Sequence, residues 1–339
     1  MSVPCWSIVD VELTTPLLRL AFLGHQPFPQ ESIAVTFDIM LPYYGNVSLM
    51  REATLSVLAQ DDEDWRLTVV DDCYPDDAAT RWFAGPHDER VTYQRNEHNL
   101  GISRNFQKCV ELARHDHLVI LGADDLMLPH YLSTVRSVLN EHPDADIVQP
   151  GVRIVNTAGR PARSLADEMK QRIYRPRFTG RTVLTGQSLA VSLLRGNWPY
   201  FPALCWRTKA IQSVGFRTGL SIVQDLALVI DLAQQGGSLA VDDTVCFEYR
   251  RHSGSVSSMG AAGASRFVEE RNYFLDVEER MRAQGWHHAA KVAHHHVSSR
   301  LHALTLIPGA LRHGRAGDAR VLARHAFGPS TRVPTRQEA

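Results

Sequence analysis

Residues 118–129 read LVILGADDLMLP. Leu118 to Leu121 are consecutive apolar residues, the pattern of a short buried strand. The run passes through the small residues Gly122 and Ala123 into adjacent carboxylates, Asp124 and Asp125, and Pro129 closes the turn. Two acids at the end of a buried strand are costly unless something cationic neutralises them. Mg2+ or Mn2+ carrying a diphosphate is one candidate, because both ions favour carboxylate and phosphate oxygens. The competing reading is an acidic cap on the helix that LPHYLSTVRSVLNEH predicts next.

Working outward in both directions, strands and helices alternate. VTFDIMLPYY reads as a strand ending at Pro42, and LMREATLSVLAQ has apolar residues at helical spacing. WRLTVVDDC is a second strand ending in Asp71 and Asp72. RVTYQRNEHNLG is a third, with Asn99-Leu100-Gly101 as its turn. SRNFQKCVELARH is a helix with Ser103 as a candidate cap. This alternation predicts an α/β fold, an open, mostly parallel sheet with helices on both faces. Ligands in such sheets bind beyond the carboxyl ends of the strands. Tyr43, Tyr44, Asp71, Asp72, Asn99, Asp124 and Asp125 all stand there.

The second half is less regular. DADIVQPGVRIVN looks like a strand pair, and residues 156–181 read as a long polar loop. TGQSLAVSLLRG predicts a helix, followed by the aromatic segment NWPYFPALCWR. IVQDLALVIDLAQQGG is a helix stopped by Gly236 and Gly237. LAVDDTVCFEYRRHSGSVS is a strand leading into a polar loop. Phe267, Phe274, Val277 and Met281 recur at helical spacing in a helical C-terminal region.

Composition narrows the classes. The 339 residues suffice for one large domain with an appendage. Lys and Arg total 36 against 37 Asp and Glu, so bulk electrostatics offer nothing to nucleic acid. Five scattered cysteines without C-x-x-C spacing fit a reducing, cytoplasmic setting. No run approaches the ~18 to 20 apolar residues of a membrane span, and no secretory signal is visible.

The order of segments resembles the family 2 glycosyltransferases of the GT-A fold. LPYYGN is similar to that family's first strand end, and VVDDCYPDD to its acidic strand end. NLGISRNFQKCVE is similar to its Asn-x-Gly…Arg-Asn segment, and LGADDLMLP to its metal motif. VQDLALVIDLAQQGG and YRRHSGSVS resemble its late helix and its Tyr-Arg-x-His…Ser segment. Two departures stand out. Gly122 replaces a frequent Asp, and Gln224 a frequent Glu. The late motif of processive synthases is absent.

The resemblance implies a GT-A, Rossmann-like sheet with a C-terminal helical extension. It implies an N-terminal extension over 1–32 and a transferase domain over 33–258, with a nucleotide half at about 33–128 and an acceptor half at about 129–258. A helical region over 265–325 and a frayed tail over 326–339 follow. The implied reaction is inverting transfer of a single sugar from a nucleoside-diphosphate sugar, with UDP or dTDP, to a hydroxyl of a glycan, lipid carrier or small natural product. Pro42, Tyr44 and Asp71 would hold the nucleoside, with Asp72 toward the ribose or solvent. Asn99, Arg104, Asn105 and Asp124 would complete the donor site. Asp124, Asp125 and His252 would hold Mn2+ or Mg2+. Asp225 would be the general base.

Trp198 and Tyr200 are the candidate acceptor contacts, since aromatic faces stack on sugar rings. The histidine-rich WHHAAKVAHHH reads as a solvated helix face. The C-terminal helices are candidates for a homodimer interface or a peripheral membrane contact. A sugar nucleotidyltransferase lacks support, because the first strand is not followed by a Gly-rich loop with a basic residue. A non-catalytic nucleotide-sugar or carbohydrate-binding protein would have no need of a base.

Overall fold

The computed structural model describes residues 36–162, 165–178, 180–251, 264 and 266–331. The expected N-terminal extension, His252 and the end of the tail lie outside the described residues. The first half runs β1 (Phe37–Tyr43), α1 (Val47–Leu58), β2 (Trp65–Asp71), α2 (Ala78–Phe83), β3 (Val91–Arg95), α3 (Ile102–Leu112), β4 (His117–Ile120) and β5 (Leu126–Met127). It continues with α4 (Tyr131–Glu141), β6 (Ile147–Asn156), α5 (Leu165–Met169), β7 (Thr182–Thr185), α6 (Gly186–Arg195), β8 (Cys205–Arg207), α7 (Thr208–Val214), α8 (Gln224–Gln234) and β9 (Ser238–Arg251). The helices α9 (Arg266–Ala283), α10 (His287–His295), α11 (Val297–Arg312) and α12 (Ala316–Phe327) follow.

Among the described residues, nine strands form one sheet in the order β3-β2-β1-β4-β8-β6-β9-β5, with β7 on β9. β1 to β4 pair in parallel. The reason is visible in their burial. Ile39, Leu41, Leu67, Val69, Val119 and Leu121 fill one side of the sheet. Met40, Val70, Leu118 and Ile120 fill the other. Strands buried on both faces need helical crossovers, and helical crossovers make parallel neighbours. Beyond β4, β8 runs antiparallel to both β4 and β6, and β5 and β7 run antiparallel to β9. β6 and β9 are parallel.

Three local expectations are corrected. The segment expected as a strand pair is the single strand β6, whose register against β9 shifts between Gln149 and Val152. Pro150 has no N–H to donate there. At Gly151 a Cβ would stand 2.6 Å from the Asp243 carbonyl oxygen, so only glycine permits the approach. The expected loop over 156–181 contains α5 and a π-helical turn, Lys170–Tyr174. Ser103 does not cap α3. That helix starts after Gly101, in the left-handed region at φ 80°, and the Ser103 hydroxyl donates to the Leu220 carbonyl at 3.4 Å.

The C-terminal helices divide their packing. Tyr273, Phe274, Val277 and Met281 of α9 and Ala289, Ala290 and Ala293 of α10 share a core with α6 and α8. Phe267, Ala303, Ala310, Ala319 and Leu322 form a separate cluster with α11 and α12. Of the histidine tract, His287, His288 and His295 are exposed, but His296 is wholly buried at the α10–α11 junction. Near it the Ser299 hydroxyl donates to Glu270 at 2.5 Å and lies 2.8 Å from His325 Nε2. A hydroxyl has one proton, so His325 Nε2 must carry an N–H.

Burial first, then His296 and the arginines Arg271 and Arg300, push the His325 imidazole down to about 3. His296 is pushed down to about 4 by burial and Arg300. Groups depressed in this way contribute stability that is complete above the unfolded value of about 6.5 and lost as pH falls toward their folded values. We therefore expect thermal melting temperature to fall between pH 6.5 and 4.5, with a shallower slope in His325→Gln. Parallel curves for the two proteins contradict this account of the cluster.

Candidate active site

The acidic doublet sits where the parallel half of the sheet meets its mixed half. Leu121 N–H extends β4 by donating to the Met40 carbonyl at 2.9 Å, and Asp125 N–H closes a turn onto Gly122 at 3.1 Å. β5 then pairs with Phe247 and Glu248 of β9. This brings the Arg250 N–H to 2.8 Å from Asp125 Oδ1. Asp125 is 1% exposed, and burial, then Asp124, raise its carboxyl well above the ordinary carboxylate range. The Arg250 guanidinium is buried as well. It donates Nη2 to Glu52 of α1 at 2.7 Å, while its Nε and Nη1 have no partner among the described residues.

Gly122 has a steric cause in this chain. A Cβ there would stand 2.4 Å from Asp125 Oδ2 and 3.3 Å from Asp124 Oδ1. Among the described residues no third His, Cys, Asp or Glu completes a metal cluster. The fit to a hard divalent cation therefore rests on two adjacent carboxylates. One is buried, accepts the Arg250 N–H among the described residues, and resists ionising because of burial and Asp124.

At the ends of β1 and β2 an aromatic cluster surrounds Asp71. Asp71 has no exposed surface. Its Oδ1 accepts from Tyr74 N–H at 2.8 Å and its Oδ2 from the Tyr93 hydroxyl at 2.5 Å, with the Arg95 guanidinium at 4.0 Å. The Tyr93 phenol is pushed up to about 12 by burial, then by Asp71. Tyr44 is the outward ring, 55% exposed and edge-on to Tyr74 at 5.1 Å between centroids. Pro42 is half-buried in β1 opposite Val70.

Two residues expected in the donor site are turned inward instead. Asp72 accepts from Asn96 Nδ2 at 2.8 Å, Leu100 N–H at 2.8 Å and Gly101 N–H at 2.9 Å. It is buried and organises the loop that starts α3. Asn105 donates to the Val70 carbonyl at 3.1 Å and accepts from Asn96 at 3.0 Å. Asn99 is exposed and closes a local turn onto Gly101 N–H at 2.9 Å. Arg104 is exposed on the first turn of α3.

Asp225 lies in the first turn of α8, half-buried. Its Oδ2 accepts from Asn197 Nδ2 at 2.9 Å and its Oδ1 from Leu226 N–H at 2.8 Å. The segment ahead of α8 is held from α9. Glu269 Oε1 accepts the N–H groups of Ser221, Ile222 and Val223 at 2.9, 2.7 and 3.2 Å, and Oε2 accepts from the Ser221 hydroxyl at 2.9 Å. Asn197 and Glu269 were not legible as partners of this helix. Asn197 stands 28 residues from Asp225, and Glu269 stands 48 from Ser221.

Trp198 and Tyr200, the candidate acceptor contacts, are both buried. Trp198 is 2% exposed, with its indole N–H donated to Ser192 at 2.9 Å. The Tyr200 hydroxyl donates to Asp167, itself bound by Arg251 at 2.7 and 3.0 Å. Both rings are framework.

Residues 38–195 match the model of Glycosyl transferase family 2. That segment, just under half of the chain, is a family 2 glycosyltransferase domain. An uncharacterized protein of Mycobacterium tuberculosis is 28% identical over 256 residues, 70% of this chain and 74% of that protein. An uncharacterized glycosyltransferase of Rickettsia felis is 24% identical over 237 residues, 69% of this chain but 36% of that protein. The transferase chain therefore spans about three quarters of the first relative and about a third of the second.

Among solved structures, residues 1–349 of S. aureus TarS in complex with UDP-GlcNAc superpose with a TM-score of 0.57 at 13% identity, over 87% of this chain and 92% of that one. The mannosyltransferase PcManGT of Pyrobaculum calidifontis, in complex with GDP-Man and Mn2+, gives 0.53 at 16% identity, over 86% and 79%. These likenesses establish the GT-A fold.

The inward placement of Asp72 has a measurable consequence. Asp72→Asn removes at least one acceptor for the loop N–H groups from a buried side chain, and a lost buried hydrogen bond costs about 1–3 kcal/mol. Urea denaturation should show that loss. A variant of unchanged stability whose defect lies in nucleotide affinity alone contradicts it.

Proposed function

We propose that this transferase moves a single sugar from a UDP or dTDP sugar to a hydroxyl acceptor by direct displacement with inversion. The observation that carries the proposal is the pairing of two acidic centres of different character. Asp124 and Asp125 follow β4, with Asp125 buried and its carboxyl raised by burial and by Asp124. Asp225 is half-buried, with one carboxylate oxygen held by Asn197. The first suits a cation and diphosphate, and the second suits proton transfer.

Held by Asp124 and Asp125, Mn2+ or Mg2+ would supply positive charge to the departing nucleoside diphosphate. Pro42 and the exposed Tyr44 ring offer a surface for the base. Arg104 brings a fixed charge to the first turn of α3. Asn197 donates to Oδ2 of Asp225 and so fixes the carboxylate plane. Asp225 takes the acceptor hydroxyl proton as the acceptor oxygen bonds to the anomeric carbon. The bond from that carbon to the phosphate oxygen breaks, and its electron pair leaves with the diphosphate. The UDP-GlcNAc bound by TarS supports a uracil donor, and the absence of a processive motif supports single transfer.

Slow hydrolysis of a panel of nucleotide sugars identifies the donor without knowledge of the acceptor. With that donor, Asp225→Asn should bind normally by calorimetry and lose about 10²- to 10⁴-fold in turnover. Asp124→Asn should lose metal-dependent donor binding. Loss of donor binding in Asp225→Asn, or full turnover, removes the assigned base.

A further inference from the structure

We propose that the outward face of α11 docks this protein on an anionic membrane surface. α11 buries Ser299, Ala303 and Ala310 against its neighbours. On the opposite side, Val297, Leu301, Leu304, Pro308 and Leu311 recur at alternating spacings of four and three. At 100° per residue they fall in one narrow arc that runs the length of the helix. All five are exposed, Val297 at 58% and Leu311 at 60%. A solvated helix carries polar residues on its outer face, so an apolar stripe opposite the buried face marks a contact surface. Phe327, 72% exposed at the end of α12, adds to the apolar surface of this helix pair.

Charge selects the occupant. The chain as a whole has a formal charge of -1. Between Gly285 and Thr331 the ionic groups are Lys291, Arg300, Arg312, Arg315, Arg320 and Arg324 against a single acid, Asp318. Arg312, Arg320 and Arg324 are exposed on the same two helices. An apolar face flanked by arginines inserts between headgroups while its guanidinium groups meet lipid phosphates. Two copies of this basic surface would repel one another, which disfavours self-association through it. No helix among the described residues is long and apolar enough to cross a membrane, so the contact is interfacial.

The test is co-sedimentation of the full chain with vesicles of phosphatidylcholine alone and of phosphatidylcholine with phosphatidylglycerol. Leu301→Ser with Leu304→Ser removes two exposed side chains, and Arg312→Gln with Arg320→Gln removes two exposed charges. Circular dichroism and light scattering follow fold and mass. We expect binding to the anionic vesicles that weakens with salt and falls about tenfold in each variant, with fold and mass unchanged. The proposal is overturned if anionic vesicles do not bind the protein, or if the leucine variant binds them as well as the wild type. It is also overturned if the wild type is a dimer that the leucine variant dissociates, which assigns the stripe to a second copy. None of these readouts depends on catalysis.

Discussion

Two carboxylates side by side at the end of a buried strand are the constraint around which this transferase is arranged. Asp125 lies in surroundings where a charge is poorly solvated, and its nearest acidic neighbour is the next residue. The local backbone answers that repulsion only in part. Arg250 N–H meets one oxygen, and the Arg250 guanidinium donates to Glu52. Burial and Asp124 outweigh Arg250 and Arg251, and the Asp125 carboxyl stays raised. Gly122 keeps the space that the Asp125 carboxylate occupies, and the β5–β9 pairing fixes the turn beside it.

The sheet delivers the remaining groups to the same end. Parallel pairing of β1, β2 and β4 aligns Tyr43, Asp71 and the acidic doublet at their carboxyl ends. The antiparallel entry of β8 brings the segment after Asn197 beside β4. Asn197 holds Asp225, and Glu269 of α9 gathers the N–H groups that lead into α8. α9 is thus tied to the helix that bears the candidate base, and with α10 it shares that helix's hydrophobic core.

The legible part of the structure follows from burial. Apolar runs that end in acids or tyrosines read as parallel strands, and β1, β2 and β4 lie where those runs lie. The final helices read from Phe267, Phe274, Val277 and Met281, all buried. What could not be read is direction. Asp72 and Asn105 are residue types that bind ligands, but they are equally the types that satisfy loop N–H groups, and the fold uses them so. Trp198 offered a stacking face by composition, yet its indole had a partner six residues away, at Ser192. Asn197 and Glu269 act across distances in sequence that no local pattern encodes. β6 misled because Pro150 and Gly151 mimic a turn between two strands, where the fold instead tolerates a register shift.

The central claim is that Asp124 and Asp125 take a divalent cation together with a nucleoside diphosphate. Electron paramagnetic resonance of Mn2+, titrated with the protein in the presence and absence of UDP, addresses it directly. The account predicts that the free-ion signal falls most when UDP is present, and that Gly122→Ala, which pushes against the Asp125 carboxylate, restores much of it. An Mn2+ signal that UDP and protein together leave undiminished, or a Gly122→Ala protein that binds as the wild type does, contradicts it.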